Sequence, residues 1–404
     1  MGPEDLQDIL VVYFSHQLCR GRYKNYSKAA TITKNRETDP VGHSPDDHGP
    51  DSTRNSKRGE HSDHEFQFLL LYKADSSVWP DLGDPHVNES HFLTCQSAPS
   101  QNQSSWVINL HPSLMINLDA LLENPEIDFV DALLPVQNNV DIIRNAIKHK
   151  KPIVIEKPIA ANMKQAREIV ELASSTDLPI GILEQWAFFS SIGQIKQILP
   201  KIGNVVSFTY KATGAWNADN KYLATSWRQN PEHIGGFLSD GGVHQLALLT
   251  EILGSVDYIS GHTRQVRKES GADDILFSSL KLTSGVIGTF TYGSAFGATD
   301  KSTSLVIYGD NGSITYDFSP TLPKPTITYQ TGANSKEASE KTVIEIDEVN
   351  AVQEEFKNFA SAVEAKDKSL VAVPPAKAFH HLAIIAAALE SSQNNGSSVK
   401  VELV

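Results

Sequence analysis

Ile127-Asp-Phe-Val-Asp-Ala-Leu-Leu134-Pro135, Ile153-Val-Ile-Glu-Lys-Pro158 and Ile180-Gly-Ile-Leu183 are three short apolar runs separated by stretches of helical spacing. Runs this short, rich in Ile, Val and Leu and bounded by Pro or polar residues, read as strands. Between the first two, Val140, Ile143, Ala146 and Ile147 recur at the spacing of one helix face. A second helix is predicted over 163–173, and a helical turn over 119–122 ends before Pro125. Strand and helix alternating at this interval predict parallel βαβ units, whose ligands sit beyond the C-terminal ends of the strands.

After about residue 188 the rhythm changes. Strands are predicted over 205–211, 256–263, 275–282, 286–292, 304–308 and 313–318, without helices of crossover length between most of them. That pattern implies a mostly antiparallel sheet. A helix over 243–253 is closed by Gly254, and two more are predicted over 352–363 and 376–391. Upstream, 9–14 and 66–72 read as buried strands around a polar tract, 34–65, too poor in apolar residues to order itself; a second polar stretch covers 97–105. His43, His48, His61 and His64 lie in the longer tract at irregular spacing, and solvated histidines are expected there rather than a metal site.

The fold class expected is therefore α/β. A parallel sheet, disrupted in its N-terminal part, is followed by an α+β domain with a large open, mostly antiparallel sheet. A divergent, partly disordered region spans 1–105, the remaining parallel-sheet part 106–187, and a second domain 188–404, with its final helices packing back. At 404 residues, two domains are the natural division. The formal charge of −13 repels nucleic acid and anionic lipid, so neither is expected as a partner. Cys19 and Cys95 are the only cysteines, too few for a disulfide framework or a zinc site. The opening Met-Gly-Pro-Glu-Asp lacks the basic and apolar regions of a signal peptide, and no stretch approaches a membrane span; a cytoplasmic protein is expected.

Glu156-Lys157-Pro158 closes a parallel strand. Proline keeps the preceding residue extended, which places the Lys157 amine at the sheet edge, where it can bind a substrate hydroxyl or stabilise a developing alkoxide. A solvated surface lysine is the alternative. In Gly235-Gly-Phe-Leu-Ser-Asp-Gly-Gly-Val-His244, the glycines permit close backbone approach to a ligand, and Asp240 and His244 share a helix face if the helix starts here. A histidine suits the removal of a hydroxyl proton, with a carboxylate to orient it. Plain capping by Ser239 or Asp240 is the competing explanation. Trp227-Arg228 suits a phosphate or a ring, or an ordinary ion pair. No G-x-G, the phosphate-cradling turn of dinucleotide folds, occurs anywhere.

With these motifs in this order, the chain resembles the GFO/IDH/MocA family, named for glucose-fructose oxidoreductase and inositol dehydrogenase. It is most similar to a fungal, NADP(H)-using branch through Trp227 to Ile234, Thr263-Arg-Gln-Val-Arg267, Phe290 to Gly297 and Lys377-Ala-Phe-His-His-Leu382. The similarity covers about residue 118 onward, and the aberrant N-terminal third departs from the family's opening strand and G-x-G-x-x-G. The resemblance implies that 106–187 is what remains of a Rossmann-like NAD(P)-binding domain, that 188–404 is a substrate and oligomerisation domain, and that the active site lies in the cleft between them. Lys157 would contact nicotinamide ribose and substrate, Asp240 and His244 would handle the substrate, and His244 would be the acid/base. Leu134, Pro135, Asn138, Glu156, Pro158, Glu184, Trp227 and Arg228 would line the cofactor side. The implied activity is hydride transfer between NADP, or NAD, and a sugar, polyol or aldehyde, by a chain able to form a homo-oligomer through its open sheet. Two other readings compete: a catalytically silent dinucleotide-binding partner protein, favoured by the missing glycine turn, and the inactive product of a damaged gene.

Overall fold

The first sheet comprises β1 (Ile9–Val11), β2 (Gln67–Tyr72), β3 (Phe129–Leu133), β4 (Ile153–Glu156) and β5 (Ile180–Leu183), in that order across the sheet. The computed structural model describes residues 9–11, 67–72, 118–125, 127–218 and 231–404, so the polar tract 34–65, with its histidines, and the stretch 97–105 lie outside the described residues. β3, β4 and β5 are parallel, with Val130 beside Ile153 and Ile153 beside Ile180. All three runs are almost wholly buried, which is why they read as continuous apolar stretches rather than alternating ones. β2 lies antiparallel to β3, Leu70 opposite Asp131, and parallel to β1. An antiparallel neighbour needs no crossover helix.

Helix α1 (Leu118–Glu123) precedes β3, while α2 (Asn139–Lys148) and α3 (Met163–Ser174) provide the crossovers. The Asn162 side chain caps α3 by accepting from the Gln165 amide, 3.0 Å away. Val140, Ile143 and Ala146 are buried as their spacing predicts. Helix α4 (Ser190–Ile198), which was not foreseen, buries Ile192, Ile195 and Ile198.

The second sheet has nine strands: β6 (Val205–Ala215), β7 (Val256–Arg264), β8 (Ile275–Leu282), β9 (Ile287–Phe296), β10 (Ser302–Gly309), β11 (Gly312–Asp317), β12 (Thr326–Thr331), β13 (Thr342–Glu345) and β14 (Val399–Lys400). Their order is β13-β12-β11-β10-β6-β9-β8-β7-β14, and β6 and β9 form the one parallel pair. The mostly antiparallel expectation therefore holds, with β12, β13 and β14 added to it. Phe208, Tyr210, Leu280, Phe290, Leu305 and Tyr316 are fully buried on the inner face. Removing side chains of this size from water contributes about 1.5–3 kcal/mol each. Helices α5 (Phe237–Leu253) and α7 (Pro375–Gln393) lie on this face.

Helix α6 (Ala351–Ala365) returns to the first sheet. Phe359 meets Phe129 edge-on at 5.1 Å, and any Cβ on Gly181 would stand 2.9 Å from the Phe359 ring. Glycine at that point of β5 is what lets the ring come so close. The Ile182 amide donates to Val373 O at 3.0 Å, and Arg167 of α3 pairs with Glu402 at 2.6 Å. The C-terminal segments thus complete the cover of the first sheet.

Candidate active site

Each parallel strand of the first sheet delivers polar residues to one edge. Register places Glu156 beside Leu183, so Lys157 and Glu184, each the residue after its strand, leave the sheet at neighbouring positions. Lys157, joined to Pro158 by a cis peptide, keeps 16% of its side chain exposed. Its Nζ donates to the Asp240 carboxylate at 2.9 Å and to the Asp240 carbonyl at 2.7 Å. The lysine is thereby tied to the first turn of α5, where the helix dipole also favours an acid.

That turn starts earlier than predicted, at Phe237 instead of 243, so Ser239 and Asp240 lie inside the helix and do not cap it. Gly235 and Gly236 have φ of 77° and 47°, backbone that L residues rarely adopt, and a Cβ on Gly236 would stand 2.7 Å from that of Ala272. Gly241 and Gly242 are needed for packing. A Cβ on Gly241 would collide with the Tyr292 hydroxyl, and Ile385 abuts Gly242. Burial, then the nearby Asp240 charge, pushes the Tyr292 hydroxyl up.

One turn along α5, His244 Nδ1 lies 2.6 Å from Glu184 Oε1. This corrects the expected pairing of His244 with Asp240: the Asp240 carboxylate is held by Lys157, and Glu184, expected on the cofactor side, is the residue that orients the imidazole. Glu184 is 1% exposed and also accepts the Trp186 amide at 3.2 Å. The Trp186 ring stacks on His244, with centroids 5.6 Å apart and planes 18° from parallel. Burial pushes the Glu184 carboxyl up, but the charge of His244 and its hydrogen bond, with His381 and Lys157, outweigh this and hold it below the usual range. An ionised carboxylate accepts hydrogen bonds only, so Nδ1 is the donor of this bond.

Behind these pairs sit further carboxyls. Burial, reinforced by Glu156, holds Asp131 of β3 well above the usual range; desolvation likewise raises Glu156, against the opposing charges of Lys157 and His244. His381, its Nε2 3.0 Å from Thr250 Oγ1, is pushed down to about 3, chiefly by burial.

Leu134, Pro135 and Asn138 are half-buried where β3 gives way to a single 3-10 turn, Val136–Asn138. They share the sheet edge with Glu156, Lys157 and Pro158. Trp227 and Arg228 lie outside the described residues. Among the described residues, no group of three or more His, Cys, Asp or Glu side chains could hold a metal ion, and no helix is long and apolar enough to cross a membrane. A groove of about 300 Å³, lined by Gln137, Arg144, Asn162 and Glu168 among others, runs between α2 and α3 and includes neither Lys157 nor His244.

Residues 85–182 match the oxidoreductase family's NAD-binding Rossmann fold, and residues 195–403 match its C-terminal alpha/beta domain. The chain belongs to the GFO/IDH/MocA oxidoreductase family. The Rossmann match begins upstream of residue 118, where the resemblance in the motifs starts. The uncharacterized protein YMR315W of Saccharomyces cerevisiae is 51% identical over 289 residues, 71% of this chain and 82% of its own length. The 2,7-anhydro-N-acetylneuraminate hydratase of Escherichia coli is 27% identical over 61% of this chain and 66% of its own. A levoglucosan dehydrogenase solved with NADH and levoglucosan shares the fold with a TM-score of 0.61 at 17% identity, covering 71% of this chain and 83% of that one.

The sequence reading missed the carboxylate of the His244 pair, although a signal for it was present. Glu184 follows an apolar parallel strand just as Lys157 does, and the strand-end rule applies equally to both.

Proposed function

We propose that this family member is an NADP(H)-dependent oxidoreductase acting on CH–OH groups of a sugar, polyol or small carbonyl compound, with Lys157, His244 and Asp240 at its catalytic centre. The observation that carries the proposal is the convergence of the Lys157 amine and the His244 imidazole on the head of α5, each with its own carboxylate. A bound nicotinamide dinucleotide would supply or accept the hydride. The half-buried Leu134, Pro135 and Asn138, beside Glu156, Lys157 and Pro158, fit such a group as a partly apolar ledge with polar atoms at its rim. Trp227 and Arg228 belong to the same proposed cofactor side.

Asp240 holds the Lys157 ammonium where it can donate to a substrate oxygen and stabilise negative charge on it. Glu184 fixes the imidazole through Nδ1, so Nε2 accepts the proton of a hydroxyl during oxidation and returns it during reduction. The ionised Glu184 stabilises the imidazolium that results. Preference for NADP(H) over NAD(H) follows the fungal branch that the motifs resemble, and the division at about residue 187 and a cytoplasmic location belong to the same reading.

Titration with NADPH and NADH, followed by a panel of sugars, polyols and aldehydes, tests the proposal. Tighter binding of NADPH with turnover of at least one such compound is expected. Binding without turnover would favour the silent partner protein, consistent with the absent G-x-G, and no binding of either cofactor would overturn the assignment. Homo-oligomerisation through the second sheet draws support from exposed Phe277, Ile287 and Tyr308 on its open face. Light scattering that shows a monomer at all concentrations would refute it.

A further inference from the structure

We propose that Glu355 of α6 is a positioning residue for the Glu184–His244 pair, holding the backbone turn 184–188 that carries both the Glu184 carboxylate and the Trp186 ring. The inference rests on the reading of His244 as the group that handles the substrate proton.

Glu355 lies one helical turn before Phe359, on the α6 face turned toward the first sheet, and is 6% exposed. Its helix packs directly on the 3-10 turn Gln185–Phe188. The backbone of Glu184 lies close to the Glu355 carboxyl, whose Oε1 is buried and has no hydrogen-bond partner. Neighbouring buried positions of α6 are Phe359, Ala360 and Ala362, so an apolar side chain at 355 would suit the packing better. What an apolar side chain cannot do is accept the Glu184 N–H, and a buried amide left unpaired is costly.

The setting determines the form in which the carboxyl does this. Burial, and then the negative charges of Glu156, Glu184 and Asp131, push the Glu355 carboxyl well above the usual range. That direction favours the uncharged carboxyl at Glu355, as the lowered carboxyl of Glu184 favours the charged one, so the negative charge behind His244 is drawn to Glu184. The turn has demanding work: Glu184 Oε1 must receive both the Trp186 amide and His244 Nδ1, while Trp186 keeps its ring parallel to the imidazole. A small drift of residue 184 would break the first pair of contacts and tilt the second.

The test uses the full chain without cofactor or substrate, labelled with 15N-histidine and, separately, 15N-glutamate. His244 and Glu184 signals are assigned by their loss in His244→Gln and Glu184→Gln. In the wild type and in Glu355→Gln, His244 should be a single Nδ1–H tautomer and the Glu184 amide should exchange slowly. In Glu355→Met, of similar length but without an acceptor, the single tautomer should be lost and Glu184 exchange should quicken roughly tenfold. Unchanged signals in Glu355→Met would overturn the proposal, as would loss of the tautomer in Glu355→Gln. Should Glu355→Met not fold, exchange in the wild type decides: a Glu184 amide as labile as an open loop amide refutes the proposal, and a protected one supports it. Neither readout involves turnover, so failure of the oxidoreductase reading leaves these outcomes separately legible.

Discussion

The C-terminal edge of the first sheet and the inner face of the second are both buried, yet they are built from opposite chemistry. Under the second sheet, Phe208, Phe290 and Leu305 fill the core, and the buried tyrosines are satisfied: Tyr210 donates to Gln245 at 2.7 Å, and the Tyr316 hydroxyl meets Ser191 at 3.0 Å. At the edge of the first sheet, Asp131 and Glu184 each keep a buried oxygen without a partner, and Glu156 and Glu355 crowd beside them. Groups of that kind destabilise the native state unless paired. The contrast shows where this fold gives up stability: at the strand ends that hold Lys157 and Glu184, over a core that compensates elsewhere.

Four sets of substitutions probe this division, from the largest expected effect to the smallest. Lys157→Met and His244→Gln should each lower turnover roughly 10²–10⁴-fold in a chain that still unfolds cooperatively. Wild-type turnover in either would erase the functional half of the contrast. Gly241→Ala should destabilise by about 1–3 kcal/mol through overpacking against Tyr292, read by chemical denaturation. Adding Tyr292→Phe, which removes the obstructing hydroxyl, should recover part of that loss. Without such recovery, the packing role assigned to this glycine would fail.

Asp131→Asn sharpens the electrostatic side. The folded chain retains a proton on Asp131 that the unfolded chain releases above about pH 4. Wild-type stability therefore falls as pH rises from there toward the raised folded-state value, and below that range the group contributes nothing. The melting temperature of Asp131→Asn should gain on the wild type steadily from acid to neutral pH; a constant gap would contradict the direction assigned. Glu184 has the opposite sign: its lowered carboxyl adds stability above the ordinary glutamate range, and that is lost as pH falls through its folded value. Last, Phe277→Thr on the open face of the second sheet should change monomer stability by no more than about 0.5 kcal/mol.

Much of the first sheet was legible because β3, β4 and β5 are uninterrupted apolar runs and α2 and α3 carry clear helical spacing. Lys157 was legible for the same reason, since a strand end is a local feature. The His244 partner was not, because Asp240 lies one turn away in sequence whereas Glu184 is 60 residues distant, and only packing decides between them. The true start of α5 was obscured by its own glycines, which read as loop until Tyr292 and Ile385 are seen against them. Glu355 was invisible: in Gln353-Glu-Glu-Phe-Lys357 it looks like Glu354, which is only half-buried and pairs with Lys357 at 3.0 Å.

The seat of Phe359 against Phe129 and Gly181 has a consequence for synthesis. A chain emerging from the ribosome makes β3 and β5 some two hundred residues before the ring that covers them. Until α6 leaves the exit tunnel, one side of the nucleotide-binding half stays greasy and open, a period in which a holding chaperone would find its grip.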